Sequence, residues 1–151
     1  MTGIGVIAIL IALLFGTSFI RVGAQNLVTA DNMEMEVKKG NEDFTETDGI
    51  LSTNEMVDRG KCVITFTANE KEYNVNLEVY APNYQPGDSV KVYYETANPS
   101  NASAPELFID FYTRTGKSVL KVGIIICAGF TALGMLFILL GKSLRKKASL
   151  G

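Results

Sequence analysis

The chain has 151 residues, and its 16 carboxylates slightly outnumber its 14 basic side chains, while histidine is absent. Without histidine, the Ser-His and Cys-His catalytic arrangements are impossible, and two cysteines cannot supply the usual ligand set of a zinc site. All the carboxylates lie within residues 31–110, where they alternate with apolar residues or fall in loops, as on a solvated face. We therefore expect a protein that is not an enzyme and has no metal, no cofactor and no nucleic-acid partner.

Two long uncharged stretches, residues 1–20 and 122–140, stand near the ends of the chain. Nineteen helical residues rise about 28 Å, which is close to the thickness of the hydrocarbon core of a bilayer. This predicts two transmembrane helices, over residues 1–21 and 119–141, in contact with a lipid bilayer. The first stretch has a second interpretation as a cleaved signal peptide, because Val22-Gly23-Ala24 ends in the small residue that a signal peptidase requires.

Basic residues crowd the tail 142–151, after the second uncharged stretch; they are Lys142, Arg145, Lys146 and Lys147. The positive-inside rule places this tail in the cytoplasm. With two spans, the N-terminus is cytoplasmic too, and the region between the spans is extracytoplasmic. The sequence thus predicts a multi-pass protein of the cell membrane.

Each uncharged stretch also carries small residues at helical spacing, which places them on one face of its helix. Small faces let helix backbones approach closely in lipid. The predicted packing residues are Gly5, Ala8, Ala12 and Gly16 in the first stretch and Gly123, Cys127, Thr131 and Gly134 in the second. They indicate that the two spans pack together or that the protein dimerises, although small residues are also common in spans that do neither.

Between the spans, residues 22–48 resemble a polar connector, in which 33–37 alternate like a short strand. Residues 49–112 predict a small antiparallel all-β domain, barrel-like or sandwich-like, because short alternating segments are separated by turn residues. The predicted strands lie near residues 50–53, 62–67, 73–79 and 90–94, and 107–109 are expected to close the set. Ala68 to Lys71 are expected to form a hairpin turn, and Cys62 to be a small apolar strand residue.

The segment 84–100 has the pattern Y-x-x-G-D-x-V-x-V-x-Y followed by Asn-Pro, which predicts a turn, a strand and a second turn. This pattern resembles the signature of the DUF3592 family of bacterial and archaeal membrane proteins. The matching residues are Tyr84, Gly87, Asp88, Val90, Val92, Tyr94, Asn98 and Pro99. The resemblance implies a membrane-bound β domain and no established biochemical activity.

The function expected from these features is that of a non-enzymatic protein with two spans, which presents its β domain for protein–protein interaction in an accessory or immunity-type role. The partner would be another membrane or envelope protein, or a second copy of the chain. The alternative is an envelope sensor or scaffold whose β domain binds a small ligand or a cell-wall component. A cluster of tyrosines at positions 80, 84, 93 and 94 is interpreted either as a recognition face or as core packing.

Overall fold

The structure of this protein is a computed structural model, which describes residues 2–40, 43–58 and 60–148. Two long helical segments flank five β-strands. The elements are α1 Thr2–Ile11, a π-helical turn Ala12–Gly16, α2 Thr17–Lys39, β1 Phe44–Glu55, β2 Lys61–Ala68, β3 Lys71–Leu77, β4 Ser89–Glu95, β5 Asn98–Ser103 and α3 Pro105–Ala148. The chain divides into a helical unit, Met1–Gln25 with Thr115–Gly151, and a β unit, Asn26–Arg114.

The strands form one sheet in the order β3-β2-β1-β4-β5, and every neighbouring pair is antiparallel. The edge strands β3 and β5 approach each other, so the sheet is nearly closed into a barrel. Near-closure follows from the twist of the strands, and it shields edges that would otherwise invite aggregation. The prediction of an antiparallel β domain flanked by two long apolar helices is confirmed at this level.

One face of the sheet forms the core of the β unit, because side chains alternate between the two faces of a strand. In β2, Cys62 and Ile64 are fully buried, and in β4 Val92 is fully buried. Leu107, from the first turn of α3, is also fully buried and belongs to the same cluster. Burying a leucine side chain contributes about 1.5–3 kcal/mol, so the start of α3 stabilises the β unit.

The hairpin between β2 and β3 forms where it was predicted. Ala68 pairs with Lys71, and the two residues between them, Asn69 and Glu70, have φ angles of 52° and 63°. Two successive positive φ angles define a type I′ turn, whose twist matches that of the flanking strands. Asparagine tolerates this conformation, whereas glutamate adopts it at a steric cost.

The prediction of a closing strand at residues 107–109 is wrong, since these residues lie in α3. Pro105 occupies the first helical position, where its missing N–H costs nothing. Leu107 and Phe111 then follow at helical spacing and both pack in the core cluster. Three consecutive apolar residues are compatible with a strand or a helix. The helical spacing of the residues that follow makes this segment a helix.

The predicted short strand at residues 33–37 is wrong as well, because α2 continues to Lys39. Methionine and glutamate are good helix formers, and alternation over five residues is too short to define a period. The segment 22–48, predicted to be a connector, therefore consists largely of helix and of the start of β1. Within this segment Lys38 and Lys39 lie in α2, while Asn41 and Glu42 lie outside the described residues.

The strand β5 was not predicted, because Asn98 and Pro99 were interpreted as the end of the preceding strand. In the structure β4 ends at Glu95, and Asn98 opens β5 by pairing with Glu95. Proline is tolerated in an edge strand, where its lack of an N–H removes no ladder hydrogen bond. Pro99 is buried, so it contributes to packing as well as to the turn.

Candidate functional site

The helices of the helical unit run antiparallel and pack through glycines. A β-carbon placed on Gly5 would lie 2.5 Å from the carbonyl oxygen of Gly134, and one placed on Gly123 would lie 2.9 Å from that of Gly16. These distances are shorter than van der Waals contact, so the backbones approach this closely only because no side chain intervenes. Such contacts hold helices together where hydrophobicity provides no driving force between them.

Ala12 and Cys127 face each other between these two glycine pairs. The Cys127 thiol donates to the carbonyl oxygen of Ala12 over 3.4 Å, and Ala12 is buried. Ala8 and Thr131, which were also predicted to pack, are only partly buried. The structure therefore brings the predicted glycines, Ala12 and Cys127 together within one chain.

Two further glycines, not predicted from the sequence, extend this contact. A β-carbon on Gly23 would lie 2.9 Å from the carbonyl oxygen of Gly116 and 2.6 Å from the amide nitrogen of Leu120. Gly23 follows Gly16 by seven residues, and Gly116 precedes Gly123 by seven. This heptad spacing was a usable signal, but Gly23 and Gly116 lie outside the uncharged stretches.

The other faces of these helices are apolar and exposed. Both helices are long and apolar enough to cross a membrane by length and composition, within Gly3–Glu36 and Pro105–Lys146. The exposed large apolar side chains include Ile4, Val6, Ile7, Leu10, Leu13, Leu14, Phe15, Phe19, Val122, Ile124, Ile125, Phe130, Leu133, Met135, Leu136, Leu139 and Leu140. A continuous apolar surface of this extent indicates contact with lipid or with another protein.

Hydroxyl groups within the first helical segment are satisfied by its own backbone. Ser18 donates to the carbonyl oxygen of Leu14 over 2.6 Å, and Thr17 donates to that of Leu13. Both acceptors belong to the π-helical turn, whose altered geometry suits them to side-chain donors. The segment therefore presents no unsatisfied hydroxyl at this point.

The predicted family motif begins with a turn that is hydrogen-bonded to β1. Asp88 accepts a hydrogen bond from the Gln85 amide over 2.7 Å, and Gly87 has a φ of 100°, which favours glycine. The Gly87 amide then donates to the Leu51 carbonyl oxygen over 2.7 Å, and the Leu51 amide donates to the Asp88 carbonyl oxygen over 2.9 Å. This turn thus sets the register of β4 on β1.

The rest of the motif contributes to the core. Val90 and Val92 are buried, and the ring centroid of Tyr94 lies 5.5 Å from that of Phe66. Tyr84 is partly buried against the same cluster, and its pKa is raised, chiefly by burial. The motif therefore acts structurally in this chain. Tyr84 and Tyr94 lie in the core region, so the predicted tyrosine cluster does not form one recognition face.

A carboxamide holds the loop that carries this motif. Asn54 donates from Nδ2 to the carbonyl oxygens of Ala81 and Tyr84, over 2.7 and 2.8 Å. Its Oδ1 accepts from the amide of Ala81 and from the thiol of Cys62, both over 3.2 Å. Sequence reasoning missed Asn54, since an asparagine near a strand end carries no pattern of its own.

Charged residues cluster on the outer face of the sheet, where β1 pairs with β4. Lys91 lies 3.0 Å from Glu46 and 2.9 Å from Asp48, and the Tyr93 hydroxyl donates to Glu46 over 2.9 Å. Hydrogen bonds donated by Lys91 and Tyr93 lower the pKa of Glu46. The hydrogen bonds that Lys91 donates to Asp48 and Glu46 raise the pKa of Lys91 itself. These four residues form the outer charged cluster.

A cleft of about 640 Å³ adjoins this cluster within the β unit. Its apolar lining comes from α2, β1, β4 and the start of α3; the residues are Met33, Phe44, Tyr93, Pro105 and Phe108. Among the described residues, the charged side chains that line it are Glu36 and Glu46, both acidic. A mostly apolar cleft of this size with a few convergent polar groups is typical of a binding site.

The inventory of reactive groups in the β unit is small. Cys62 is fully buried, and burial raises the pKa of its thiol, which opposes nucleophilic reactivity. Among the described residues, no group of three or more His, Cys, Asp or Glu side chains is placed to hold a metal ion. The cleft is therefore the candidate functional site, and binding is the chemistry that its lining supports.

Comparison with known proteins identifies no relative, since no family model, no curated protein and no solved structure matches the chain. The resemblance of segment 84–100 to the DUF3592 signature accordingly stays a prediction.

Proposed function

We propose that this chain is a non-enzymatic protein of the cell membrane, with two spans and both termini in the cytoplasm, which presents its β unit outside for binding another protein. The observation that carries the proposal is the helical unit. The glycines that form its helix–helix contact are buried, while many of its large apolar side chains are exposed. Water does not favour such an arrangement, whereas lipid does.

The orientation rests on charge. Lys142, Arg145, Lys146 and Lys147 follow the second span, while all 16 carboxylates lie between the spans. Retention of the basic tail in the cytoplasm then leaves the β unit outside. The pattern of segment 84–100 resembles the DUF3592 signature, and we assign the chain to that family as part of this proposal.

Thiol labelling of intact cells tests the topology, and the structure shows where to place the thiols. Cys62 is buried and therefore a poor reporter, whereas Met56 is 82% exposed in the loop after β1. We expect a membrane-impermeant maleimide to label Met56→Cys in intact cells, and the matched variant Ser143→Cys only after permeabilisation. The reverse pattern would put the β unit in the cytoplasm and overturn the proposal. Intact mass of the purified chain tests the alternative of a cleaved signal peptide.

The binding role is tested by purification from membranes. We expect the tagged chain to retain a stoichiometric membrane or envelope protein, in an accessory or immunity-type complex, and to lose it with Phe44→Asp in the cleft. Glu72→Gln, an exposed change on β3, is the matched control and should retain the partner. Loss with both variants, or retention with both, would contradict a binding site in the cleft.

A second candidate function is that of an envelope sensor or scaffold that binds a small ligand or cell-wall component. The volume of the cleft favours this candidate, since about 640 Å³ lies within the range of small-molecule sites. A purified chain that is stabilised by a small ligand and has no stoichiometric protein partner would support it over the first.

A further inference from the structure

The charge of the cleft identifies the kind of group that it can accept. Its two charged lining residues, Glu36 and Glu46, are acidic and come from different elements, α2 and β1. Glu46 is already engaged by Lys91 and Tyr93. Glu36 is exposed and forms no hydrogen bond or ion pair with another described residue, so its carboxylate is available to a ligand.

The described cations near the cleft, Lys91 and Lys39, do not neutralise all of the acidic charge around it. Lys91 forms ion pairs with Glu46 and Asp48, and its backbone amide lies 3.4 Å from a carboxylate oxygen of Glu106. Among the described residues, the carboxylates of Glu36, Glu46, Asp48 and Glu106 therefore lie in or beside the cleft, whereas the ammonium groups there are those of Lys91 and of Lys39, which adjoins the lining residue Gly40. The region keeps an excess of negative charge, which repels anionic ligands and attracts cations.

The lining of the cleft contains aromatic rings in addition to its carboxylates. Phe44, Tyr93 and Phe108 contribute rings from three different elements to the same cleft. An ammonium group near an aromatic ring is attracted by the negative face of the ring. Aromatic rings combined with carboxylates select an organic cation over a neutral molecule of the same shape.

We propose that the cleft binds an organic ammonium group carried on an apolar body, with Glu36 and Glu46 supplying the charge and Phe44, Tyr93 and Phe108 supplying the aromatic surface. This inference rests on the proposed binding role of the β unit. It adds the chemistry of what is bound, whether that group is a free amine or a lysine side chain of a partner protein.

Equilibrium dialysis tests this inference with the full chain in phosphatidylcholine nanodiscs and with binding to empty nanodiscs subtracted. The cationic probe is phenylpropyl-trimethylammonium, and its matched neutral probe carries a tert-butyl group in place of the trimethylammonium. We expect the cation to bind about tenfold more tightly than the neutral probe, and less tightly as salt is added. Glu36→Gln should weaken binding of the cation about fivefold, while Glu72→Gln should leave it unchanged.

The source of the ammonium group is distinguished by a second pair of probes, N-acetyl-Leu-Lys-Leu-amide and the same peptide with norleucine in place of lysine. Selective binding of the lysine peptide supports a protein partner, and selective binding of the free cation alone supports a small ligand. If the charged and neutral probes bind with equal affinity, and Phe44→Leu weakens the binding of both, the cleft is a binding site that does not select cations. That result would overturn this inference. Absence of saturable binding by every probe would overturn this inference, whereas the labelling and purification experiments decide the proposed function separately.

Discussion

Gly16 and Gly123 lie opposite each other across the antiparallel helix pair, and neither position has room for a β-carbon. A β-carbon on Gly123 would meet the carbonyl oxygen of Gly16 at 2.9 Å, and one on Gly16 would overlap the thiol of Cys127. The contact is made by backbone on both sides, so its stability depends on the absence of side chains at these two positions. The small residues of these two helices contact each other within one chain, so a dimer is not needed to explain why they lie on one face.

This relationship predicts that Gly16→Leu separates the two helices. Forcing a side chain into a packed contact costs about 1–3 kcal/mol, and we expect a loss of that size in thermal unfolding of the chain in nanodiscs. The matched control is Gly129→Leu, since nothing lies within 4 Å of a β-carbon at Gly129. Equal stability of the two variants would show that the helices do not pack through Gly16.

The hydrogen bonds of Asn54 predict a second, independent loss of stability. Asn54→Ala removes the partner of the backbone groups of Ala81 and Tyr84, which lie at the part-buried start of the motif loop. Leaving such groups unsatisfied costs about 1–3 kcal/mol, and we expect a decrease of that order in the free energy of unfolding.

Asn74→Ala provides the control for this prediction, because Asn74 is exposed and accepts a single hydrogen bond from Thr65. It should change the free energy of unfolding by less than about 0.5 kcal/mol. A comparable loss in both variants would mean that the Asn54 network does not hold the loop.

The β2–β3 hairpin predicts a stabilising change. Glu70 adopts a φ of 63°, which costs a residue with a side chain roughly 1 kcal/mol relative to glycine. We expect Glu70→Gly to raise the melting temperature, and the matched Glu72→Gly, within β3, to lower it. A decrease with both variants would show that Glu70 is not held in the left-handed conformation.

The sequence was sufficient for the features that depend on local pattern. The alternation of Cys62, Ile64 and Phe66 predicted β2 and its buried face, and the uncharged stretches predicted two long apolar helices. The sequence was insufficient where a segment of five or fewer residues is compatible with both the helical and the strand periodicity, as at 33–37 and 107–109. At 107–109 the helix continued because Leu107 and Phe111 lie at helical spacing and pack in the core cluster, and at 33–37 because methionine and glutamate are good helix formers.

The candidate site was the least predictable part of the molecule. Its lining residues come from five separate elements, and of these residues the sequence had linked only Tyr93, through the tyrosine cluster, to recognition. Glu36 near the end of α2 and Phe44 at the start of β1 line the same cleft, and only the three-dimensional structure shows this. The recognised motif instead stabilises a turn and a strand, since Asp88 and Val92 act on the backbone and the core.

Alkaline pH is expected to destabilise the β unit, first through Cys62. Burial raises the pKa of this thiol above its ordinary value of 9.0, so the folded state keeps a proton that the unfolded state releases. The contribution to stability is therefore complete below pH 9 and declines as pH rises toward the folded pKa, by up to about 1.4 kcal/mol per pH unit. The raised pKa values of Tyr84 and Tyr93 extend the decline above pH 10.

Melting temperatures measured by far-ultraviolet circular dichroism between pH 8 and pH 11 test this expectation. In the wild type the melting temperature should begin to fall near pH 9, whereas in Cys62→Ala the fall should begin near pH 10, where Tyr84, Tyr93 and then Lys91 contribute through their raised pKa values. Because Cys62→Ala also loses the hydrogen bond to Asn54, its melting temperature at pH 8 will be lower, and the pH at which the decline starts is the quantity to compare. Identical onsets in the two proteins would show that the Cys62 thiol has an ordinary pKa in the folded state, and therefore that it is open to solvent.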